Sequence, residues 1–318
     1  MKNTTLKNRA LTFGQWAVSI ALIYYLLRRV EVNEITHGIW KTNIYLLIVG
    51  LLIAALSVFI RSYKWQLLLK VQGASLSLPY IYSLNFMSLF FNNFFFGSIA
   101  GDALRVYKTM NHSNTKIGSV STIIIDRVTG VLTLCLIVML AGIAIVANNK
   151  FLSIKKNIYI AIFICLGALF FIYLLYKFLT NNPVMGGFKK DSKLADILND
   201  VVSSINVYKN HEKTLKACLL LSFFYHMATS TSMYFFSLAA NVNLGIIHWF
   251  FIVPLVSFIV MIPISVNGIG LQEGTFFFYL QSMDIDSSSA FLISLLPRMG
   301  MLIFSLIGAI LYLYDDRK

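Results

Sequence analysis

The chain has 318 residues, 58% of them hydrophobic and only 12% charged, with a mean hydropathy of +0.75. Soluble domains carry about 25% charged residues, so this composition excludes a soluble globular enzyme; apolar runs of about 20 residues along the whole length indicate an all-α polytopic membrane protein. The net charge of +13 fits the Lys/Arg excess of cytoplasmic loops and their contact with anionic lipid headgroups, rather than a nucleic-acid footprint.

The N-terminus, M-K-N-T-T-L-K-N-R, leads into an apolar run with no small-residue cleavage site after Tyr24 and Tyr25, so it reads as an uncleaved first span. Spans are expected at 12–30, 44–67, 117–147, 157–179, 215–240, 246–263 and 288–314, with shorter apolar pieces at 80–97 and 270–283. Those two are too short for a comfortable crossing and fit re-entrant helices. The expected fold is therefore a single integral membrane domain over 1–318, with seven to eight transmembrane helices plus one or two re-entrant or broken ones. A connector near 150–157 divides it into halves, 1–149 and 150–318, each with one broken segment, so two related halves are expected.

Basic residues set the orientation. Lys2, Lys7, Arg9, Arg61, Lys64, Lys70, Arg105, Lys108 and Lys116 recur at alternate loops, and the long connector at 180–214 is also lysine-rich. This places the N-terminus in the cytoplasm and the protein in the cell membrane. Within that connector Leu194, Ile197, Leu198, Val201, Val202 and Ile205 follow helical periodicity, which reads as an amphipathic helix lying on the cytoplasmic membrane surface or packed on the bundle. Cys135, Cys165 and Cys218 lie in apolar runs without ligand spacing and read as small buried hydrophobes.

Four stretches gather polar groups where a membrane disfavours them. Arg61-S-Tyr63-Lys64-Trp65 reads as an interfacial belt, with snorkelling cations and an anchoring Trp. Residues 92–108, N-N-F-F-F-G-S-I-A-G-D-A-L-R-V-Y-K, put Asn93, Gly101, Asp102 and Arg105 into one short segment. A helix starting near Gly101 would present an N-terminus to an anion; the alternative is a tight hairpin with Asp102 as N-cap. Asp126 and Arg127, inside the third span, point to different sides of a helix and need separate partners. Arg127 is expected to meet Glu273 or Asp102, and Asp126 to meet Arg61 or Arg298. Finally, Pro263 to Gly274, P-I-S-V-N-G-I-G-L-Q-E-G, breaks a helix with Pro and Gly and exposes Asn267, Gly270 and Glu273, with Arg298 the nearest cation downstream. Irregular backbone at membrane depth survives where it is buried in protein or lines a wet cavity, and paired broken segments mark a transporter's binding site.

The chain has no P-loop, H-E-x-x-H or G-x-S-x-G motif, so neither nucleotide hydrolysis nor these hydrolase chemistries are expected. No catalytic residue, metal or cofactor is assigned. If the broken segments build one site, at least one carboxylate–guanidinium contact should bridge the two halves.

Taken in order, R-x-x-K-W, N-N-x-x-x-x-S-I-x-G-D-x-x-R, D-R-V-T-G and P-I-S-x-N-G-I-G-x-x-E-G resemble the flippase-like domain family, which includes the transmembrane region of lysylphosphatidylglycerol synthases. The resemblance runs from about residue 44 to the C-terminus. It implies transbilayer movement of an anionic phospholipid, an aminoacyl-lipid or a polyprenyl-linked lipid, and maps polar motif positions onto Asn93, Gly101, Asp102, Arg105, Arg127, Asn267, Gly268, Gly270, Glu273 and Gly274. Two details depart from the pattern: Phe96-Gly97 stands where a proline is usual, and Ala100-Gly101 where the family doubles glycine. The chain stops at Lys318 without the synthases' aminoacyltransferase domain, so lipid synthesis is not expected. The competing expectations are an accessory membrane protein that docks a lipid-modifying enzyme through its basic connector, and an intramembrane headgroup enzyme using Asp102, Asp126 and Glu273.

Overall fold

The computed structural model describes residues 2–94, 98–113, 116–147, 155–181, 202–262 and 264–315. Helices form where the apolar runs are. α1 (Lys2–Leu27), α3 (Ile44–Val71), α6 (Lys116–Ala147), α7 (Lys155–Asn181), α8 (Glu212–Ala239) and α11 (Ser287–Asp315) have 26 to 32 residues. Even the shortest reaches roughly 39 Å at 1.5 Å per residue, more than a hydrocarbon core of about 30 Å. α2 (Val32–Lys41) is a short amphipathic helix at one end of the bundle. Four more helices fall short of a crossing: α4 (Leu78–Phe94) and α5 (Ser98–Thr109), then α9 (Ile246–Val260) and α10 (Leu271–Gln281).

Contacts at the helix ends fix the direction of each element. At one end the Asn43 amide donates to the Ala239 carbonyl (2.9 Å), Asn241 Nδ2 donates to the Lys41 carbonyl (3.2 Å) and Gln281 Nε2 to Ser287 Oγ (2.6 Å). The Ser288 hydroxyl donates to the Glu34 carboxylate at the same end. At the other end, Lys108 Nζ lies 2.9 Å from Asp315, and Tyr208 OH donates to the Leu68 carbonyl (2.9 Å). Lys70, Lys108, Lys209, Lys213 and Lys216 gather at this lysine-rich end.

The chain thus makes a long helix, a hairpin and a long helix twice, in opposite senses. α3 runs toward the lysine-rich end, α4 and α5 turn back into the bundle and out again, and α6 leaves. α8 starts at the lysine-rich end, α9 and α10 form a hairpin entering from the far side, and α11 returns. The packing repeats too: α3 lies along α8, α4 packs on α11 and α9 on α6. The 246–263 segment, expected as a full span, stops at Val260 and pairs with 271–281 as one arm of the second hairpin. The seven-to-eight count of the sequence resolves as six long helices and two hairpins among the described residues. Pro263 and Gly97 lie outside the described residues, as does the 182–201 part of the basic connector. Its described end is anchored by Gln72, whose Nε2 donates to the Ser204 carbonyl (2.9 Å), and by Tyr208, which is 1% exposed. The three cysteines are buried and free.

Small residues set the interhelical distances. A Cβ on Gly308 would come within 2.0 Å of the Phe86 carbonyl oxygen, so α4 and α11 meet backbone to backbone, whereas one on Gly274 meets nothing within 4 Å. Gly308→Ala is therefore expected to destabilise the protein by about 1–3 kcal/mol through overpacking, and Gly274→Ala to leave stability unchanged. Thermal unfolding of the purified variants in detergent checks this: similar midpoints for the two would contradict the packing of α4 on α11.

Candidate functional site

Each hairpin carries its own cluster of charge. The first is assembled from three helices. Arg61 and Lys64 share a face of α3 by their i, i+3 spacing, as do Asp102 and Arg105 on α5. Asp126 lies ten residues beyond the start of α6 at Lys116, about 15 Å along the helix axis.

Asp126 is the hub. Lys64 Nζ lies 2.8 Å from its Oδ1, Arg61 Nη2 3.8 Å from its Oδ2 and Arg105 Nη2 3.9 Å from the same oxygen. The directed hydrogen bonds of Lys64 go elsewhere, to the Asp126 backbone carbonyl (2.9 Å) and Ser222 Oγ (2.7 Å), so Oδ1 is held by charge more than by an aligned N–H. Arg127, on the neighbouring face, pairs with Asp102, which also contacts Arg105 Nη1 at 3.3 Å. Arg105 is 1% exposed and lies over the Trp65 ring, 3.9 Å from its centroid. Its Nε and Nη2 lack hydrogen-bond partners, and the π-face compensates part of that loss. Trp65 is oriented by donating Nε1–H to Thr122 Oγ1 (3.0 Å).

The second cluster sits at the break in the other hairpin. Asn267, Gly268 and Gly270 all have positive φ, at 47°, 71° and 80°, a region that glycine enters freely and Asn more readily than most residues. Glu273 caps α10 by accepting the Gly270 amide at Oε2 (2.7 Å), while Oε1 accepts Arg298 Nε (2.7 Å). Arg298 Nη1 also donates to the Asn267 carbonyl (3.2 Å). From α1, Ser19 Oγ accepts the Val266 amide (3.1 Å).

The tips of the two hairpins touch: Asn267 Nδ2 donates to Asn93 Oδ1. The expected carboxylate–guanidinium bridge between the halves does not form among the described residues. Every carboxylate–guanidinium contact among the described residues stays within 1–149 or within 150–318. Asp102 and Asp126 already have cations from α3, α5 and α6, and Glu273 is used as a cap and partner for Arg298. Around the hairpins the halves are joined by hydrogen bonds instead, Asn93–Asn267, Lys64–Ser222, and His226 Nε2 with the Gly130 carbonyl (3.2 Å), and at the lysine-rich end by the Lys108–Asp315 pair.

Two local expectations also change. α5 begins at Ser98 rather than near Gly101, and the Gly101 amide is taken by Asn92 Oδ1 (2.8 Å); that N–H is not free for an anion. Lys64 and Trp65 are 4% and 0% exposed, so neither belongs to an interfacial belt. The helix continues to Val71, which sets Lys64 about 10 Å inside its end. That depth is the signal in the sequence that could have marked Lys64 as a site residue, where the interfacial reading placed it in a belt instead. Ser222 and Tyr225 carry no signal in the sequence, because single hydroxyls form no pattern, whereas Asn92 stands beside Asn93 as an amide of the first broken segment.

The first cluster faces a chamber of about 230 Å³ lined by Arg61, Lys64, Asp102, Asp126 and Arg127, with Tyr225 and His226 opposite. A second, mainly apolar chamber of about 350 Å³ lies deeper, between Leu89, Phe236, Val256, Phe276 and Phe304. Arg61, Asn92, Tyr225 and Ser257 line both. Charged and apolar volumes thus share one wall inside the bundle.

A family model described as the lysylphosphatidylglycerol synthase TM region matches residues 13–309. A UPF0104 membrane protein of the archaeon Methanocaldococcus jannaschii is 30% identical over 226 residues, covering 69% of this chain and 91% of the relative.

Removing one partner of a buried pair strands the other charge. Lys64→Met is expected to cost about 3 kcal/mol or more, and Lys64→Met combined with Asp126→Asn less than the sum of the two single changes. Denaturant unfolding in micelles measures both; a Lys64→Met protein as stable as the parent would restore the interfacial reading of this lysine.

Proposed function

This chain belongs to the family of the lysylphosphatidylglycerol synthase TM region, and on that premise we propose that it is a lipid translocator rather than an enzyme, residing in the cell membrane with its lysine-rich end in the cytoplasm. The observation that carries the reading is the shared wall between the two chambers. A lipid has a polar head and an apolar tail, and a protein that moves one must offer both environments without a seam. Arg61, Asn92, Tyr225 and Ser257 stand at that seam.

The charges support an anionic headgroup. Ionisable groups at bilayer depth cost roughly 3 kcal/mol or more unless paired or wetted, and they persist here around a chamber rather than as an isolated lock between helices. Guanidinium groups at Arg61 and Arg127 suit the planar oxygens of a phosphate. The hairpins enter from opposite ends and meet at Asn93 and Asn267. Separation of the tips would open the chamber to the far side, and their contact closes it, which is alternating access around a fixed site. Asn93, Asn267, Glu273 and Arg298 act in this scheme as the frame of the closure, and Asp102 and Asp126 as the orienters of the arginines.

Purified protein in liposomes should accelerate exchange of a fluorescent short-chain anionic lipid between leaflets, read by reduction of the outward-facing label. Arg127→Ala is expected to lower the rate about tenfold, a loss of one charge-assisted contact. Identical rates in protein-free and protein-containing vesicles, across phospholipid and polyprenyl-phosphate substrates, would reject translocation. Loss of function confined to Lys189, Lys190 and Lys193 would favour docking of a lipid-modifying enzyme.

A further inference from the structure

The charges of the polar chamber narrow the headgroup. Four cations, Arg61, Lys64, Arg105 and Arg127, are held among two carboxylates, Asp102 and Asp126. That is a surplus of two positive charges among the described residues. The surplus is exposed unevenly. Arg105 is 1% exposed and lies behind the chamber wall, and Lys64, which lines it, is 5% exposed with its Nζ held by Asp126 and Ser222, whereas Arg61 and Arg127 line the chamber and retain 37% and 42% exposure.

Both carboxylates are engaged, Asp126 by Lys64, Arg61 and Arg105, and Asp102 by Arg105 and Arg127. An ammonium-bearing headgroup would meet two guanidinium groups and no unengaged carboxylate. A phosphodiester brings a single negative charge per phosphate, half the surplus. A phosphate monoester brings about −1.5 to −2 at neutral pH, with three strong acceptor oxygens. The deeper chamber of about 350 Å³, lined by Leu89, Phe236, Val256, Phe276 and Phe304, offers an apolar surface for the first part of a lipid chain.

Resting on the translocator reading, we propose that the ligand is a lipid ending in a phosphate monoester, its phosphate between Arg61 and Arg127 and the first part of its chain in the apolar chamber. This assignment is narrower than the lipids implied by family membership, and it sets lysyl-bearing headgroups last.

The test compares binding of defined lipids to the full-length protein in nanodiscs of phosphatidylcholine, by native mass spectrometry at graded lipid concentration. Phosphatidic acid is expected to bind about tenfold more tightly than phosphatidylglycerol with the same chains at pH 7.5, and lysylphosphatidylglycerol more weakly than either. The second ionisation of a phosphate monoester lies near pH 6. Below it the monoester carries one charge, as the diester does, so the preference should fall to within about twofold at pH 5. The groups facing the phosphate are Arg61 and Lys64 from α3, Asp102 from α5, Asp126 and Arg127 from α6, and Tyr225 and His226 from α8. Protonation of His226 would strengthen both lipids alike and so does not mimic that narrowing.

The wild-type comparison stands without any variant; Arg61→Ala with Arg127→Ala, shown to be folded by its elution profile, should abolish the preference. Phosphatidylglycerol or lysylphosphatidylglycerol binding as tightly as phosphatidic acid at pH 7.5 would overturn the assignment. Inorganic phosphate binding as tightly as the lipid would overturn its lipid part, and the stronger of phosphatidic acid and polyprenyl monophosphate identifies the chain. Monoester preference without translocation would leave the headgroup assignment and remove the transport reading; equal binding and equal movement of all these lipids would do the reverse.

Discussion

An ionised carboxylate inside an apolar helical bundle is the constraint from which the rest follows. Asp126 sits about 15 Å along α6 at 5% exposure, where an unpaired charge would be prohibitive. Its neutralisation requires Lys64 and Arg61 to approach from α3 and Arg105 from α5. Arg105 reaches it only because the first hairpin folds back into the bundle, and that fold depends on Gly101 lying against Ser88 and Asn92. The hairpin is therefore held by the same residues that charge the chamber. Stability and site are one network here, as buried polar networks tend to be.

The opposed hairpins give that network a place to act. Each is flanked by a pair of long helices, and the α4–α11 and α6–α9 contacts correspond under exchange of the halves. The chemistry has not been kept equal. The first hairpin carries a positive surplus against an open chamber, while the second neutralises Glu273 with Arg298 and spends the carboxylate on capping α10. An asymmetric pair suits a device in which one half binds and the other closes. The neutral amide contact at the tips, Asn93 with Asn267, can be broken without stranding a charge, unlike an ion pair at the same place.

The sequence made the helical membrane fold legible through composition and period, and the two breaks legible through Pro, Gly and amides inside apolar runs. The pairing of Asp102 with Arg105 was within reach from local spacing, and the cost of an unpaired charge left two candidates each for Arg127 (Glu273 or Asp102) and Asp126 (Arg61 or Arg298), of which the structure uses Asp102 and Arg61. Four features were not legible. The 246–263 run has the hydropathy of a span, and only tertiary packing shows that it ends at Val260 and turns back. Lys64 and Trp65 have the composition of an interfacial belt, but helix length carries them below it. The bridge between halves was expected to be a carboxylate–guanidinium pair because charges are the costly groups; the structure pairs each of these arginines within its own half, joins the hairpin tips by amides, and places its cross-half ion pair, Lys108 with Asp315, at the lysine-rich end instead. The polar seam residues Asn92, Tyr225 and Ser257 come from three helices distant in sequence, and no one-dimensional pattern announces such a convergence.

The central claim is that a lipid headgroup occupies the chamber between the hairpins. An experimental structure of the protein in nanodiscs of native lipid tests it most directly. The account predicts headgroup density between Arg61 and Arg127, with its chain passing Tyr225 and Ser257 toward Phe304. Side chains closing over an empty chamber, with all bound lipid confined to the outer surface of the bundle, would contradict it.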